Sequence, residues 1–461
     1  MCISIRLSIH ISCGRRALSG VASATLVLAA ALLARPVRAD ELSPTGAAGG
    51  KLSLARAEAI ALDHQPTVAE AAGQTEASEG RVEEARSGYL PQVALTGVYQ
   101  RTTGNFAPRP GGLPANVAAP SWTSTTYNYF NFGASASQLI YDFGQTSGKW
   151  RAAGASRDAA RDNERTVRVQ TLLAVRRAYL LARAQAELAV VARQTVDNEE
   201  KHITQTVGFV KAGIRPDIDL ARVRTDLANA KVQLVNANNS LLLARATLNQ
   251  TMGLPVNTRY DLADETFPAV AGEEQSVDDL IGQAVKGRPE LATLADQRRA
   301  GELTVRALKG GYGPALAATA GATEAGTQFD NLVPNWYLGL TAAWPIFQGG
   351  LTRGQVREAK GTLLTLTASE QAELLQIRID VEQAQLGVLA AKSTISAAEE
   401  ALANARDLLR LAERRYETGL GSSIELGDAQ VAATAAAAQE VTARFSLGTA
   451  RAQLLAALGV T

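Results

Sequence analysis

The chain has 461 residues and a formal net charge of +1, and 46% of its residues are hydrophobic. Its 46 basic and 45 acidic residues nearly balance, which does not suggest nucleic acid as a partner. The only two cysteines, Cys2 and Cys13, lie in the first 39 residues, so the rest of the chain has no disulfide, thiol nucleophile or cysteine metal site.

The first 39 residues have the pattern of a Sec signal peptide. Arginines precede an apolar run at 21–34, and the small-residue pattern VRA follows at 37–39. The run is shorter than the about 20 apolar residues that a membrane-spanning helix needs, and no cysteine follows it, as a lipoprotein would require. We therefore expect cleavage after Ala39 and a secreted chain without a lipid anchor.

The expected mature chain contains two copies of one pattern. The sequence GYLP at 88–91 returns as GYGP at 311–314, an offset of 223. Further along, IYDFG at 140–144 pairs with IFQGG at 346–350, an offset of 206. The first copy therefore holds 17 more residues, between about 97 and 130. A long repeat with one insertion predicts two similar structural units, with the insertion in a surface loop.

Each copy has an aromatic-rich segment in which apolar residues alternate with small or polar ones. Of 23 Phe, Tyr and Trp residues, 11 lie at 89–150 and six at 312–347. The alternation is clearest at 130–137 and 336–344, and weaker partner strands lie upstream. This period of two predicts strands between lipid and a water-filled lumen, although a half-buried strand of a soluble sheet fits it equally well.

Turn-rich stretches at 102–124 and 323–335 predict the loops that join the paired strands. The first of these loops holds the 17-residue excess, and it fits an outer loop of a membrane protein. Four aromatic residues are candidates for the two membrane interfaces, where such rings are favoured: Trp122, Tyr127, Trp336 and Trp344.

The rest of each copy predicts unusually long helices. Residues 148–207 and 350–418 contain no proline and are rich in Ala, Leu, Val, Arg and Glu. At 1.5 Å per residue, such a helix is a rod of roughly 90 Å. Each rod ends at a glycine turn, at 213–216 or 419–422, and a second helix follows. The sequence therefore predicts two antiparallel helical hairpins with coiled-coil packing.

Oligomerisation follows from these elements. Neither hairpin buries its apolar stripe alone, and four strands do not close a membrane barrel, which needs about eight or more. Three chains would provide twelve strands and a continuous ring of helices.

These residues resemble the TolC-like outer membrane efflux proteins. The motifs that carry the resemblance are LSLARAEAIALDHQP at 52–66, GYLPQVALTG at 88–97, IYDFG at 140–144, WPIFQGG at 344–350, RYETGLGSSIELGDAQ at 415–430 and LGV at 458–460. The resemblance implies a fold that is mainly α with a membrane β-barrel. In it, a tandem duplicated unit contributes long antiparallel coiled-coil hairpins to an α-barrel and four strands per chain to a trimeric 12-stranded β-barrel.

The resemblance also implies a function and its partners. The chain would lie in the cell outer membrane, extend into the periplasm, and form the passive exit channel of a tripartite efflux pump for small molecules such as drugs, toxic compounds or metals. Its partners would be a periplasmic adaptor (membrane fusion protein), an inner-membrane transporter of the RND, ABC or MFS type, further copies in a homotrimer, and outer-membrane lipid.

The expected organisation divides the chain into seven segments. In chain order they are a signal peptide (1–39), an N-terminal segment with the first helix (40–87), a first β-hairpin in the outer membrane (88–145), a first periplasmic helical hairpin (146–255), a linker with the first helix of repeat two (256–310), a second β-hairpin in the outer membrane (311–349) and a second periplasmic helical hairpin (350–461).

The resemblance places a gate at the hairpin tips. It puts Asp219 at an acidic position associated with the closed state, and Glu425 and Asp428 at the channel constriction. A spacing of three residues places the last two on one helical face, so a trimer would stack two rings of negative charge that favour cations. A second interpretation fits as well, because Ser422 and Glu425 also form a capping box and Asp219 lies in a first helical turn.

The turn after Gly419 is shorter than in the type member of the family. It lacks a clear counterpart of the Tyr and Arg that lock that member's gate. Arg215, Arg222 and Arg415 are candidate substitutes, although such charges on long helices more often form a solvated face.

The adaptor is expected to dock at the hairpin turns, on Gly213, Arg415, Tyr416 and Gly419, although a glycine there is also an ordinary helix C-cap. The sequence has no nucleophile elbow and no phosphate-binding loop, so we predict no enzyme and no catalytic, cofactor-binding or metal-binding residues. Two other functions remain open: the outer-membrane component of a type I protein secretion system, and a soluble periplasmic coiled-coil scaffold.

Overall fold

The computed structural model describes residues 51–103 and 126–460. The predicted signal peptide and most of the predicted loop at 102–124, with Trp122, lie outside these residues. The elements of the described chain follow in order: α1 (Leu54–His64), α2 (Pro66–Ser87), β1 (Gln92–Thr103), β2 (Thr126–Tyr141), α3 (Gln145–Lys211), α4 (Asp217–Thr251), α5 (Val277–Gly287), α6 (Pro289–Gly310), β3 (Ala315–Gly326), β4 (Val333–Ala343), α7 (Leu351–Glu417) and α8 (Ser423–Ala457).

The predicted duplication is confirmed by two sets of matching elements. Helices α5 and α6 and strand β3 repeat α1, α2 and β1 at an offset of 223, with the same lengths. Helices α7 and α8 repeat α3 and α4 at an offset of 206, with lengths of 67 and 35 residues in both copies. The 17-residue excess of the first copy therefore falls between β1 and β2.

Each copy begins with two consecutive helices, where we expected one. Gln65 separates α1 from α2, and Arg288 separates α5 from α6. Both residues precede a proline, which disfavours helical dihedral angles in the residue before it. Their ψ angles of 120° and 121° are accordingly extended. A proline at the first position of a helix costs nothing, because its missing N–H has no partner there in any case.

The long helices α3 and α7 are each about 100 Å long at 1.5 Å per residue. Each packs against the shorter helix that returns beside it, α4 or α8, which confirms the predicted helical hairpins. Helices α6 and α8 of the second copy also pack along α3, so α3 is the main element that joins the two copies. No helix within residues 51–103 and 126–460 is both long enough and apolar enough to cross a membrane.

The best-buried core of the first copy lies where α1 meets the middle of α3 and the end of α4. Leu52 forms a parallel bridge with Leu262, and the buried Tyr179 hydroxyl donates to the Leu52 carbonyl oxygen at 3.0 Å. Leu248 and Met252 of the α4 end are fully buried in the same cluster. This core ties the start of the described chain to the segment that connects the two copies.

An ion-pair cluster holds the connecting segment against the second hairpin. Glu273 is buried in a turn before α5, and its carboxylate accepts from Arg451 at 2.9 Å and from Lys392 at 2.8 Å. Burial alone raises the pKa of this carboxyl, but the bonds from the two basic side chains outweigh burial and lower the pKa to about 2. Glu273 is therefore ionised throughout the neutral range.

The four strands form one antiparallel sheet in the order β1-β2-β3-β4. The predicted loop at 323–335 is too long, because β3 continues to Gly326 and β4 begins at Val333. Residues 323–325 pair with residues 333–335 in the ladder. Backbone pairing satisfies the main-chain polar groups of this segment, and so the polar composition that predicted a loop did not decide its structure.

The two faces of the sheet differ in polarity. Partners directly opposite one another in a ladder point to the same face, and the register assigns the large apolar residues to one face, where Leu95 is 84% and Trp336 77% exposed. That face carries Val93, Leu95, Tyr99, Phe130, Phe132, Trp336, Leu338 and Leu340. The opposite face carries Thr96, Asn131, Gly133, Ser135, Ser137, Thr319, Thr323 and Asn335.

Candidate gate at the helical hairpin tips

The two helical hairpins end in turns of the same form. Gly213 and Gly419 have left-handed φ angles of 71° and 80° after α3 and α7. The next N–H groups close the turns, since Ile214 donates to Phe209 O and Leu420 donates to Arg415 O, both at 2.9 Å. A glycine in this conformation is the usual end of an α-helix, so the local sequence alone accounts for both turns.

Arg215 connects the tip of the first hairpin to that of the second. Its Nη2 donates to the Gly421 carbonyl oxygen at 2.6 Å, and its guanidinium lies 4.8 Å from the ring centroid of Tyr416. The Tyr416 ring is 2% exposed, and its hydroxyl lies 3.1 Å from Thr206 Oγ1. Phe209 meets the same ring edge-on, with centroids 5.9 Å apart. These contacts form a latch between the hairpins, which we define as Arg215, Gly421 and Tyr416.

Asp219 makes a second connection between the hairpins. Its Oδ1 accepts from Ser423 Oγ at 2.8 Å, across the boundary between α4 and α8. The predicted acidic gate residue is thus a hydrogen-bond acceptor in the tip contact. Its place in the first turn of α4 also suits a carboxylate, because the exposed N–H groups there carry partial positive charge.

Glu425 forms only half of the expected capping box, and its place in a gate stays a prediction. Its backbone N–H donates to the Oγ of Ser422 at 3.1 Å, which caps α8. Its side chain is not part of that cap, since the carboxylate accepts from Arg415 Nε at 3.0 Å. Both side chains of this ion pair are about half exposed, so the pair contributes little to stability, on the order of 0–1 kcal/mol.

Asp428 differs from Glu425 in its surroundings. It is exposed, one turn after Glu425 on the same face of α8. In contrast to Asp219 and Glu425, it makes no hydrogen bond or ion pair with any residue in the part of the chain that the structure describes. The structure therefore brings Asp219 and Glu425 into contacts at the tips and leaves Asp428 available to solvent.

A buried polar cluster lies just behind the latch, and the sequence did not reveal it. Glu199 and His202 of α3 are 7% and 9% exposed, close to Asp226 of α4 and Gln430 of α8. Burial raises the pKa of Glu199 to about 7, with a further contribution from the charge of Asp226, and burial lowers the pKa of His202. The Nε2 atom of Gln430 is buried without a partner among the described residues.

The predicted docking residues divide into two groups. Gly213, Arg415 and Gly419 are exposed, whereas Tyr416 is buried beneath Arg215. The Tyr416 side chain therefore stabilises the tip and offers no surface to a partner. A signal for this existed in the sequence: only six aromatic residues lie outside the two aromatic-rich segments, and two of these six, Phe209 and Tyr416, lie just before the two turns.

Within the described residues, no group of three or more His, Cys, Asp or Glu side chains is placed to hold a metal ion. The tips therefore offer hydrogen bonds, one stacked guanidinium and acidic side chains. These contacts join the two hairpin tips and leave the carboxylate of Asp428 exposed beside them.

Comparisons with known proteins agree with this architecture. The family model described as "Outer membrane efflux protein" matches residues 59–254 and 280–460. The outer membrane protein TolC of Escherichia coli is 26% identical over 444 residues, which cover 89% of this chain and 84% of TolC. The pyoverdine export outer membrane protein OpmQ of Pseudomonas aeruginosa is 24% identical over 335 residues, 72% of this chain and 69% of OpmQ.

The fold is shared with solved structures of outer membrane proteins. The outer membrane protein VceC from Vibrio cholerae superposes with a TM-score of 0.75 at 16% identity, covering 88% of this chain and 96% of VceC. The outer-membrane channel OprN gives the same TM-score at 16% identity, with 88% and 90% covered. The predicted fold class is thereby confirmed.

Proposed function

The chain belongs to the outer membrane efflux protein family, and on that premise we propose that it is the trimeric exit channel of a tripartite efflux pump. Its place is the cell outer membrane, from which it extends into the periplasm. It carries small molecules outward without an energy source of its own. The observation that carries the proposal is the difference in polarity between the two faces of the sheet. The two edge strands of this sheet also lack a further partner among the described residues.

The sheet supports a place between lipid and water. Its apolar face exposes Leu95, Trp336, Leu338 and Leu340, each by more than 70%. Its other face carries small and hydroxylated side chains, which suit a water-filled lumen. Isolated four-stranded sheets leave unpaired backbone groups at both edges, and these groups need partners in a membrane. Three chains in a ring would supply those partners and give twelve strands.

The helical hairpins support the periplasmic part of the proposal. Exposed apolar residues recur along α7, among them Leu364, Leu375 and Leu386, each by more than 50%. Side chains of this kind need cover, and neighbouring copies in a helical barrel would provide it. The free ends of the hairpins, with exposed Gly213, Arg415 and Gly419, would receive a periplasmic adaptor. An inner-membrane transporter of the RND, ABC or MFS type would supply the energy.

The tips support a gate. In the closed channel the latch holds the two hairpins of each chain together, and Asp428 from three chains would form an acidic ring at the opening. Glu425, one turn away, would form a second ring whose charge is partly neutralised by Arg415. Such rings favour cations over anions.

Planar-bilayer conductance tests the proposal. The purified wild-type protein is expected to form channels that prefer cations, and Asp428→Ala is expected to lower that preference. Glu399→Ala is the matched control, because Glu399 is an exposed carboxylate of α7 that lies several helical turns before the hairpin tip. A protein that gives no conductance and stays out of the outer-membrane fraction would instead be a periplasmic scaffold.

The class of cargo needs a separate measurement. A strain that lacks this protein is expected to retain small fluorescent substrates of efflux pumps, and the wild-type gene is expected to restore their export. Normal dye efflux together with the loss of a secreted polypeptide from the medium would assign the channel to type I secretion.

A further inference from the structure

Basic side chains are concentrated where the helices meet the sheet. Four helix ends lie there, namely the ends of α2 and α6 and the starts of α3 and α7. The two helical turns nearest the sheet, at 81–87, 304–310, 145–151 and 351–357, together hold eight basic and two acidic residues. Their net charge is +6, although that of the whole chain is +1. Positive charge is therefore gathered at this level of the molecule.

The eight basic side chains are exposed, and none makes an ion pair or a side-chain hydrogen bond with another described residue. We call them the basic band: Arg81, Arg86, Lys149, Arg151, Arg306, Lys309, Arg353 and Arg357. Asp142, which precedes α3, is buried and accepts from the N–H of Thr146 at 2.6 Å. Further along α3, in contrast, Arg157 and Arg161 each pair with a carboxylate. Counter-charges for the band therefore have to come from outside the described chain.

The repeat carries a basic residue at two equivalent positions of the band. Arg86 corresponds to Lys309 at the offset of 223, and Arg151 corresponds to Arg357 at the offset of 206. The helix dipole accounts for the first pair, because a basic residue is favoured in the last turn of a helix. It does not account for Arg151 and Arg357, near the starts of α3 and α7, and it disfavours Arg353 in the first turn of α7. Helix stability therefore does not explain the band.

Arg151 lies on the face of α3 that also carries α1. It precedes Arg176 by 25 residues, about seven helical turns, so the two side chains share a face. Arg176 pairs with Glu58 of α1 at 2.6 Å. In a ring of hairpins this face is the outer one, because α1 on the inner face would obstruct the channel. The repeat gives Arg357 the corresponding place on α7.

Aromatic side chains border the band on the side of the sheet. The Trp344 indole donates to the Tyr312 carbonyl oxygen at 3.0 Å, and both residues are more than 50% exposed. Tyr89 meets Trp150 edge-on, with ring centroids 6.2 Å apart. Exposed Trp and Tyr residues gather at the boundary between lipid tails and headgroups. Arg151 directly follows Trp150, so the band begins at the level of the headgroups.

We propose that the basic band binds the phosphate groups of phospholipids in the periplasmic leaflet of the outer membrane, with a preference for anionic headgroups such as phosphatidylglycerol. The proposal rests on the outer-membrane channel proposed above and adds a lipid contact to it. A guanidinium matches the geometry of a phosphate and can donate two hydrogen bonds to it. The ammonium of phosphatidylethanolamine cancels the charge of its own phosphate, whereas the glycerol of phosphatidylglycerol leaves that charge free. Unpaired basic side chains therefore favour phosphatidylglycerol.

Lipid retention by the purified protein tests the proposal. The protein is reconstituted in vesicles of equal parts phosphatidylethanolamine and phosphatidylglycerol and extracted again in mild detergent. Native mass spectrometry then counts the lipids that the protein retains. The wild type is expected to retain phosphatidylglycerol in preference to phosphatidylethanolamine. This preference is expected to fall as the salt concentration rises, because salt screens exposed charges.

Removal of one repeat-equivalent pair is the decisive variant. Arg151→Gln with Arg357→Gln is expected to lower the retained ratio of phosphatidylglycerol to phosphatidylethanolamine about fivefold or more. The matched control is Arg193→Gln with Arg410→Gln, the same change of charge on α3 and α7, with Arg193 about 60 Å from Arg151 along α3. Each control arginine is exposed and pairs with an acidic residue of its own helix, so the control is expected to keep the wild-type ratio. Arg151→Lys with Arg357→Lys keeps the charge and is expected to keep most of the preference.

Several results would overturn the lipid contact. They are equal retention of both lipids by the wild type, a wild-type ratio in the glutamine variant, and a loss of preference in the control or in the lysine variant as large as in the glutamine variant. If the protein forms conducting trimers in such a case, only the lipid contact fails. A protein that forms neither trimers nor channels would overturn the lipid contact and the proposed channel together. Equal retention of both lipids, with binding to isolated cell-wall fragments that depends on Arg151 and Arg357, would assign the band to the cell wall instead.

Discussion

The latch at the hairpin tips gives the sharpest prediction. Arg215→Ala removes the charged hydrogen bond to the Gly421 carbonyl and the stacking on Tyr416. A hydrogen bond from a charged donor contributes about 1.5–3 kcal/mol, and a cation over an aromatic ring contributes about 0.5–2 kcal/mol. Because the two act through one guanidinium, we expect a loss of about 3 kcal/mol from the closed state of each chain.

That loss corresponds to roughly a hundredfold change in the equilibrium between latched and open tips. The assay is single-channel recording in planar bilayers, with the open fraction as readout. Cells that carry the variant are also expected to become sensitive to large antibiotics that the intact outer membrane excludes. Arg215→Lys is expected to be intermediate, since a lysine keeps one donor but not the planar stacking group.

Arg410→Ala is the matched control for Arg215→Ala. Arg410 lies on α7 near the same tip, and it pairs with Asp407 at 2.9 Å, with both side chains more than 60% exposed. Such a surface pair contributes little, so the open fraction is expected to stay at the wild-type value. An Arg215→Ala channel with the wild-type open fraction would refute the reasoning, and so would a control that opens as far as Arg215→Ala.

Three further predictions concern stability. Glu273→Gln is expected to lower the free energy of unfolding by about 3 kcal/mol, because it leaves two basic side chains without their buried partner. The wild-type contribution of Glu273 is present above pH 4.5 and is lost as the pH falls toward its pKa of about 2. Denaturant titrations at several pH values would show this loss. Glu199→Gln is expected to raise the melting temperature at pH 8 but not at pH 4. The pKa of Glu199 is raised to about 7 in the folded chain, so above about pH 4.5 the ionised glutamate favours the unfolded chain, whereas at pH 4 the residue is mostly protonated in both states. The same gain at both pH values would contradict this. Gly148→Ala is expected to destabilise the chain by about 1–3 kcal/mol, because the added methyl group clashes with Ala307. The control Gly154→Ala has open space around it in the described chain and is expected to stabilise α3 slightly. Equal melting temperatures for the two variants would rule out close helix packing at Gly148.

Much of the fold was predictable from the sequence because the chain repeats itself. The positions of the glycine turns, the absence of proline in α3 and α7, and the alternation at 130–137 and 336–344 each point to one local structure. The helix breaks before Pro66 and Pro289 were also readable from proline chemistry, although we had expected single helices there. The strand boundaries within 323–335 were not predictable from the sequence, because the neighbouring strand in the sheet decides whether a polar segment forms a strand or a loop.

The candidate gate was predictable only in part. The resemblance supplied Asp219, Glu425 and Asp428, and all three lie near the tips. Their individual states depend on partners that can be distant in the sequence: Ser423, which donates to Asp219, belongs to the other copy of the repeat. Local patterns carry no information on such distances. The burial of Tyr416 and of Glu199 was hidden for the same reason, because a helix face shows its period in the sequence but not which helix covers it.

The sequence by itself determined the elements of this protein, their order and their duplication, because these depend on local chemistry: proline and glycine at the ends of helices, apolar residues at a period of two in strands, and long runs of good helix formers between them. Only the tertiary structure decided which copy of each element is covered within the chain and which is left bare. Gly148 and Gly354 occupy the same place in the repeat, yet α6 packs on the first, and the second faces open space within the described chain. Packing partners depend on the topology of the chain. When two copies of a repeat pack side by side, each copy keeps one outer surface that has no packing partner within the described chain.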